Sequence, residues 1–423
     1  MTLIRTVTIL MCLSALFSYI NQRWIKLPFT IGMTAMALGM SLLLVLLGKF
    51  GFGIEREAEA FISGIDFNVT VMHGLLNFLL FAGSLQVKIG DLFEQKWFIA
   101  TLASIGVILS TMIVGFLGYW LFGLVGLHLP LIYCLLFGAL ISSTDPVAVL
   151  GILKKAKVPK HLEINITGES LFNDGTAVAV FLILFGIATK GGFTVGSGVE
   201  LIVIEALGGI SLGFSVGYAA YRLIKSVNAR QVELLITLAL VMGVHVLADL
   251  TDTSGPIAVV VAGLVIGNYS RSAIADPARD YVAMFWELLD ELLNAVLFVL
   301  IGLEMLALSF KPHYLQAGLI AIPIVLLARF LSVGAPVRMF RLTHQFSRRA
   351  TLILTWGGLR GGISVALALS LPEGEARDAV LTITYIVVVF SILVQGLTLG
   401  KMIEAGAHPA KVHESAAPLA PGA

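Results

Sequence analysis

Two carboxylates, Glu169 and Asp174, sit in the segment Gly168-Glu169-Ser170-Leu171-Phe172-Asn173-Asp174-Gly175, which opens an apolar stretch long enough to cross a bilayer. A second apolar stretch just upstream carries Thr144-Asp145-Pro146 near its middle. A charged side chain at the bilayer centre costs roughly 2.5–3.5 kcal/mol on insertion scales, so such residues mark function by default. Two neighbouring spans bearing that cost point to a small cation or a proton as the species handled. A carboxylate among hydroxyl and carbonyl oxygens coordinates a hard monovalent cation, whereas the neutral acid holds a proton instead. Burial disfavours the charged form of a carboxylic acid, which brings both forms within reach near neutral pH. Asp174 is therefore suited to competition between the two ions, and alternating access to one such site is sufficient for exchange.

If 167–189 is helical, Ser170 and Asp174 lie four residues apart and share a face, while Glu169 and Asn173 share another. Glu169 and Asp174 are then about 140° apart around the axis. The two carboxylates need not form a dyad. Asp174 with Ser170 is expected to face a cavity, and Glu169 to need a partner, because a buried unpaired charge is far more costly than a paired one. Arg360 is the candidate for that partner.

The elements that must hold these groups are interrupted helices. In Ser142-Ser143-Thr144-Asp145-Pro146-Val147, the proline lacks a backbone N–H and pushes the preceding residue away from helical geometry. Asp145 then stands at an N-cap and Pro146 at the first position of a new half-helix. In Thr355-Trp356-Gly357-Gly358-Leu359-Arg360-Gly361-Gly362-Ile363, four glycines around one arginine mark a second mid-span break. Asp145 suits the positive end of one half-helix and Arg360 the negative end of another. Paired interrupted helices in corresponding positions of two halves point to the midplane site of a transporter.

Composition supports an all-α polytopic membrane protein. Of 423 residues 58% are hydrophobic and 13% charged, against about 25% charged in a soluble domain; mean hydropathy is +0.97. About twenty apolar residues make a span. Thirteen such runs are expected, at 3–20, 28–48, 69–87, 97–123, 130–153, 167–189, 200–224, 231–249, 256–268, 288–309, 314–337, 350–371 and 380–402. The breaks in spans five and twelve then run in opposite directions, as in an inverted repeat. A membrane domain over 1–402 divides into repeat one (3–189), a linker helix (200–224) and repeat two (231–402), followed by a short disordered tail over 403–423. Ser18-Tyr19-Ile20 is not a small-x-small cleavage site, so the first helix is expected to be retained. With the N-terminus outside and the C-terminus cytoplasmic, inside connections hold nineteen of the 27 basic residues and outside segments six. The expected location is a plasma or inner membrane, with the bilayer as a partner and no nucleic acid.

Several chemistries are excluded or disfavoured. Cys12 and Cys134 both lie in apolar spans, so neither a disulfide framework nor a thiolate metal site is expected. Histidine spacing offers no metal-ligand motif and no P-loop exists to power a pump. Ser170 lacks the glycine two residues on that a nucleophile elbow needs, Phe172 standing there, so no enzyme is expected. A cation channel and a sodium-coupled solute symporter stay open beside a carrier, which the paired breaks and the titratable Asp174 favour. Around the main site, His73, His245, Asp249 and Asp252 read as caps or vestibule residues. Glu287, Asp290 and Glu291 read as an acidic funnel or a solvated first turn, and Arg329 as pairing or snorkelling. Lys154 to Lys160 read as a topology signal.

Taken together, Ser142 to Val149, Gly168 to Gly175 and Trp356 to Gly362 resemble the signature segments of the monovalent cation:proton antiporter-1 family, the NhaP-type sodium/proton exchangers. Leu79 to Leu85, Phe285-Trp286, Leu293-Asn294 and Ile301-Gly302-Leu303 are also similar, so the resemblance covers essentially the whole chain. It implies an NhaA/NhaP-like inverted-repeat fold with two crossed, partly unwound helices and a homodimer. It implies that Asp174 binds the ion or proton, with Ser170 and Thr144 coordinating Na+ and Asp145 reaching it through water or orienting the crossing. Asn173 falls where electrogenic relatives carry a second aspartate, which implies electroneutral 1:1 exchange. Glu169 and Arg360 match a buried ion pair of the core. Na+ is the expected cation, with Li+ or K+ as alternatives, and no cofactor is implied. Asn77-Phe78-Leu79-Leu80 departs from the proline-containing version of many relatives, so the resemblance does not fix the cation preference.

Overall fold

The computed structural model describes residues 3–50, 67, 70–146, 149–151, 153, 160–189, 195–227, 229–269, 276–308, 311–342 and 349–406. The regular structure among them is helical throughout, and eight helices are long and apolar enough to cross a membrane. In chain order the main helices are α1 (Leu3–Ile20), α2 (Phe29–Lys49), α3 (Leu76–Gln86), α4 (Lys96–Gly123), α5 (Leu131–Leu140), α6 (Lys160–Thr189) and α7 (Val195–Ser226). They continue as α8 (Arg230–Leu250), α9 (Gly255–Tyr269), α10 (Asp276–Leu303), α11 (Pro312–Met339), α12 (Ala350–Trp356), α13 (Gly362–Leu369) and α14 (Glu375–Ile403).

Packing sorts these helices into two bundles. One contains α4, α5, α6 and α11 to α14; the other contains α1 to α3 and α7 to α10. Lipid tails are as apolar as the helices, so association depends on close packing more than on a hydrophobic drive. Small residues make that possible. Gly209, Gly213 and Gly217 recur along α7 against Ser254, Ala258 and Ala262; a Cβ on Gly209 would stand 2.7 Å from Ser254 O. Across α4 and α5, a Cβ on Gly138 would meet Thr111 O at 2.5 Å. The first helix is integrated into the second bundle, packing on α2 and α10 with Leu10 and Phe17 buried.

Two helices break inside the first bundle. α5 stops at Leu140, and a new helical turn opens where Leu150 N–H bonds Pro146 O at 2.8 Å. α12 stops at Trp356 and α13 starts at Gly362, leaving Gly357 to Gly361 unwound. The unwound stretches touch, with Asp145 N–H donating to Leu359 O at 2.8 Å. Backbone groups freed within a membrane must be satisfied by protein or by a water-filled cavity. Here Ser364 Oγ donates to Leu140 O at 2.8 Å, and Arg360 N–H donates to Ser391 Oγ at 3.0 Å.

Several boundaries differ from the sequence reading: α6 begins at Lys160 where its span is expected from 167, and helical structure runs on to Gly406 where a disordered tail is expected from 403. The tenth span was expected from 288, but α10 begins at Asp276, so Glu287, Asp290 and Glu291 lie within the helix and are not its first turn. Glu287 and Glu291 are offset around the axis from the buried Trp286, whose ring packs against Phe81 and whose Nε1–H donates to Thr237 Oγ1 at 3.0 Å. An apolar-run criterion misses such an amphipathic entry because polar and buried positions alternate there. Val147, Ala148, Lys154, Lys155, Lys157, the His73 side chain and the tail from 407 lie outside the described residues.

Candidate ion-binding site

α6 carries the carboxylates past the crossing. Gly168 lets it approach α4, since a Cβ there would stand 2.7 Å from Ile99 Cδ1. One turn of α6 then distributes its polar groups among three neighbours. Asp174 accepts a hydrogen bond from Ser143 Oγ at 2.7 Å. Asn173 Nδ2 donates to Thr144 Oγ1 at 2.6 Å, and the Thr144 hydroxyl lies 3.0 Å from Ser170 Oγ. Thr144 N–H points at Asn173 Oδ1 at 3.4 Å. Ser143, Thr144, Ser170, Asn173 and Asp174 are all buried.

Glu169 does not pair with Arg360, and this corrects the ion pair expected from the sequence. Both Glu169 oxygens are bound by Arg329 of α11, Nη2 reaching Oε2 at 2.9 Å and Nη1 reaching Oε1. Arg329 Nη2 also reaches Leu354 O at 3.3 Å. Gly358 makes room, since a Cβ there would stand 2.6 Å from Arg329 Nε. Arg360 instead donates through Nη1 to Ser142 O at 3.0 Å and Ser143 O at 2.9 Å. A guanidinium placed on the carbonyls at the end of a half-helix opposes the negative end of its dipole. The α6 face bearing Glu169 turns towards α11, which leaves Arg360 free for the broken end of α5.

A cavity of about 730 Å³ runs between the bundles to this crossing. Its floor includes Ser143, Asp145, Ser170 and Asp174, and its exposed rim carries Lys88, Glu287 and Glu291, with Asp290 also on the wall. Thr144 and Asn173 lie behind the wall. Three carboxylates (Asp145, Glu169, Asp174) and two guanidinium groups (Arg329, Arg360) meet at the crossing. One added positive charge, whether a cation or a proton, balances them.

The sequence model of the transmembrane sodium/hydrogen exchanger family matches residues 12–405. The chain belongs to that family. It is 50% identical over 398 residues to the Na(+)/H(+) antiporter NhaP of Pseudomonas aeruginosa, covering 92% of this chain and 94% of the relative. It is 36% identical over 369 residues to the Na(+)/H(+) antiporter NhaH of Halobacillus dabanensis, covering 85% and 89%. The sodium proton antiporter MjNhaP1 of Methanocaldococcus jannaschii shares the fold, with a TM-score of 0.73 at 20% identity and coverage of 95% and 99%.

In this exchanger-family chain the structure brings Asp174, Ser170, Thr144, Asp145 and Asn173 to one crossing. Two residues at the same place were not singled out by motif. Ser143 had no signal beyond a second hydroxyl beside Thr144. Arg329 had one, a charge in the middle of an otherwise apolar run, but nothing in the sequence names its partner. His245 and Asp249 form an i, i+4 contact at 3.6 Å on α8, away from the cavity. No group of three or more metal-ligating side chains occurs among the described residues.

Proposed function

We propose that this protein exchanges a monovalent cation, Na+ in the first instance, for a proton across a membrane, with both competing for Asp174. The observation that carries this reading is that Asp174 closes the floor of an acidic-rimmed cavity while Glu169 is engaged by Arg329 and Arg360 is engaged by carbonyls. Arriving cations are concentrated by the lining carboxylates Glu287, Asp290 and Glu291, which outnumber Lys88 there. At the floor the cation is met by the Asp174 carboxylate and nearby hydroxyl oxygens. Protonation of Asp174 supplies the same single charge, so a one-for-one exchange leaves the crossing electrically unchanged. Movement of the α5/α12–α13 crossing against the second bundle would expose Asp174 to the other side.

Further features belong to the same reading. The cavity opens on the side of the connection around Lys88, which is the cytoplasmic side with the basic excess facing inwards and the N-terminus out. The membrane is a plasma or inner membrane. The repeats run over 3–189 and 231–402, joined by the linker over 200–224. The functional unit is a homodimer, as the family resemblance implies. The identity of the relatives named as Na(+)/H(+) antiporters supports antiport over a channel or a solute symporter.

The test is proton movement in proteoliposomes on addition of Na+, K+ or Li+, with voltage clamped or free, for the wild type and Asp174→Asn. Cation-driven proton efflux that is insensitive to voltage and absent from the variant is expected. Flux without proton movement, or exchange that survives in Asp174→Asn, would refute the assignment.

A further inference from the structure

We propose that the Ser143 hydroxyl is a direct ligand of the transported cation beside Asp174, in the position expected for the Thr144 side chain. This rests on the antiport reading above and names a residue that the motif does not.

Three observations carry it. Ser143 Oγ is 2.7 Å from Asp174 Oδ1, and both residues line the cavity floor. Thr144, as buried as Ser143, does not line the cavity, and its hydroxyl is already engaged by Asn173 Nδ2 and Ser170 Oγ. A hydroxyl has one proton and two acceptor lone pairs, so Thr144 has little capacity left for an ion. Ser143 Oγ makes the bond to Asp174 and no other among the described residues, which leaves its lone pairs for the cavity.

The backbone beneath Ser143 is held as well. Arg360 Nη1 binds the carbonyls of Ser142 and Ser143, and Asp145 N–H is tied to Leu359 O. The hydroxyl is therefore presented from an anchored, unwound chain, as preorganised ligands must be. Hard cations take oxygen ligands. The Ser143 O–H donates to the Asp174 carboxylate. When a cation arrives, rotation about one side-chain bond turns a lone pair towards it, with no backbone movement. Ser170, also on the floor, supplies a further hydroxyl from the α6 side.

The experiment uses the full-length protein, with Ser143→Ala and Asp174→Asn each in proteoliposomes and in detergent. For Ser143→Ala the half-saturating Na+ concentration for exchange should rise about ten-fold, equivalent to about 1.4 kcal/mol, with the maximal rate within about two-fold of wild type. Thermal unfolding in detergent should show a lower melting temperature without Na+, from the lost bond to Asp174, and in addition about ten-fold more Na+ should be needed for the same stabilisation. A merely structural role would lower the ion-free melting temperature and leave the Na+ dependence of the shift alone, which would overturn the proposal. So would half-saturation in Ser143→Ala within about two-fold of wild type. Asp174→Asn separates the two levels: if it is inactive while Ser143→Ala saturates normally, only the Ser143 assignment fails. If it still exchanges, the antiport reading fails.

Discussion

Arg329 on α11 binds both carboxylate oxygens of Glu169 on α6, and one of its terminal nitrogens also reaches Leu354 O at the end of α12. The pair is buried on both sides. It thus links three elements around the crossing without reaching the cavity floor. Removing one partner of a buried pair leaves an uncompensated charge and costs about 3–5 kcal/mol.

Arg329→Ala and Glu169→Ala are each expected to lower the melting temperature in detergent sharply. The double variant is expected to lose less than the sum, because neither charge is then stranded. Additive losses would show that the two side chains act separately. Arg329→Lys should recover only part of the stability, since a lysine cannot make the two parallel bonds.

Gly361 is where the two unwound stretches approach most closely on Asp145. A Cβ there would stand 2.6 Å from Asp145 Oδ2 and 2.7 Å from Asp145 Cβ. Gly361→Ala is therefore expected to push Asp145 away from the cavity wall and to reduce maximal exchange at least ten-fold, on the scale of a misplaced group of about 1 Å. Gly374→Ala, where the backbone has φ +150° but no atom lies within 4 Å of the added methyl, provides a control far from the crossing. It should cost stability only. Exchange by Gly361→Ala at the wild-type rate would show that the close approach is not needed for transport.

The rim of the cavity acts on encounter with the ion. Glu287 and Glu291 are exposed on α10 and line the entrance. Neutralising both to glutamine is expected to raise the half-saturating Na+ concentration about two- to five-fold at low ionic strength. The difference should shrink at about 0.15 M salt, where the Debye length is about 8 Å. A change that persists undiminished at high salt would point to direct coordination by these residues.

The interrupted helices were legible because helix breaking is local. Pro146 removes a backbone donor whatever surrounds it, and four glycines between Gly357 and Gly362 weaken a helix in any fold. The same holds for the face shared by Ser170 and Asp174, which follows from helical spacing. Hydropathy likewise carries the eight long apolar helices among the described residues, since a bilayer imposes one length scale on them. Where the helix entry is amphipathic, as at Asp276 to Glu291, that scale no longer applies and the boundary was misplaced.

Partner choice belongs to the tertiary structure. Glu169 has two buried arginines within the same bundle, and charge alone does not choose between them. The choice follows from the rotation of α6, which turns Glu169 to α11, and from the gap at Gly358 that admits Arg329. Arg360 is then left to the carbonyls of Ser142 and Ser143, whose placement needs both broken helices to be in contact. The division between Ser143 and Thr144 is of the same kind. Adjacent hydroxyls on an unwound chain are equivalent in sequence, and only the packing of Asn173 against one of them leaves the other facing the cavity. Local backbone chemistry and hydropathy could be read residue by residue. Which buried charges and hydroxyls meet depends on the rotation and approach of helices far apart in the chain, and that was decided only when they packed.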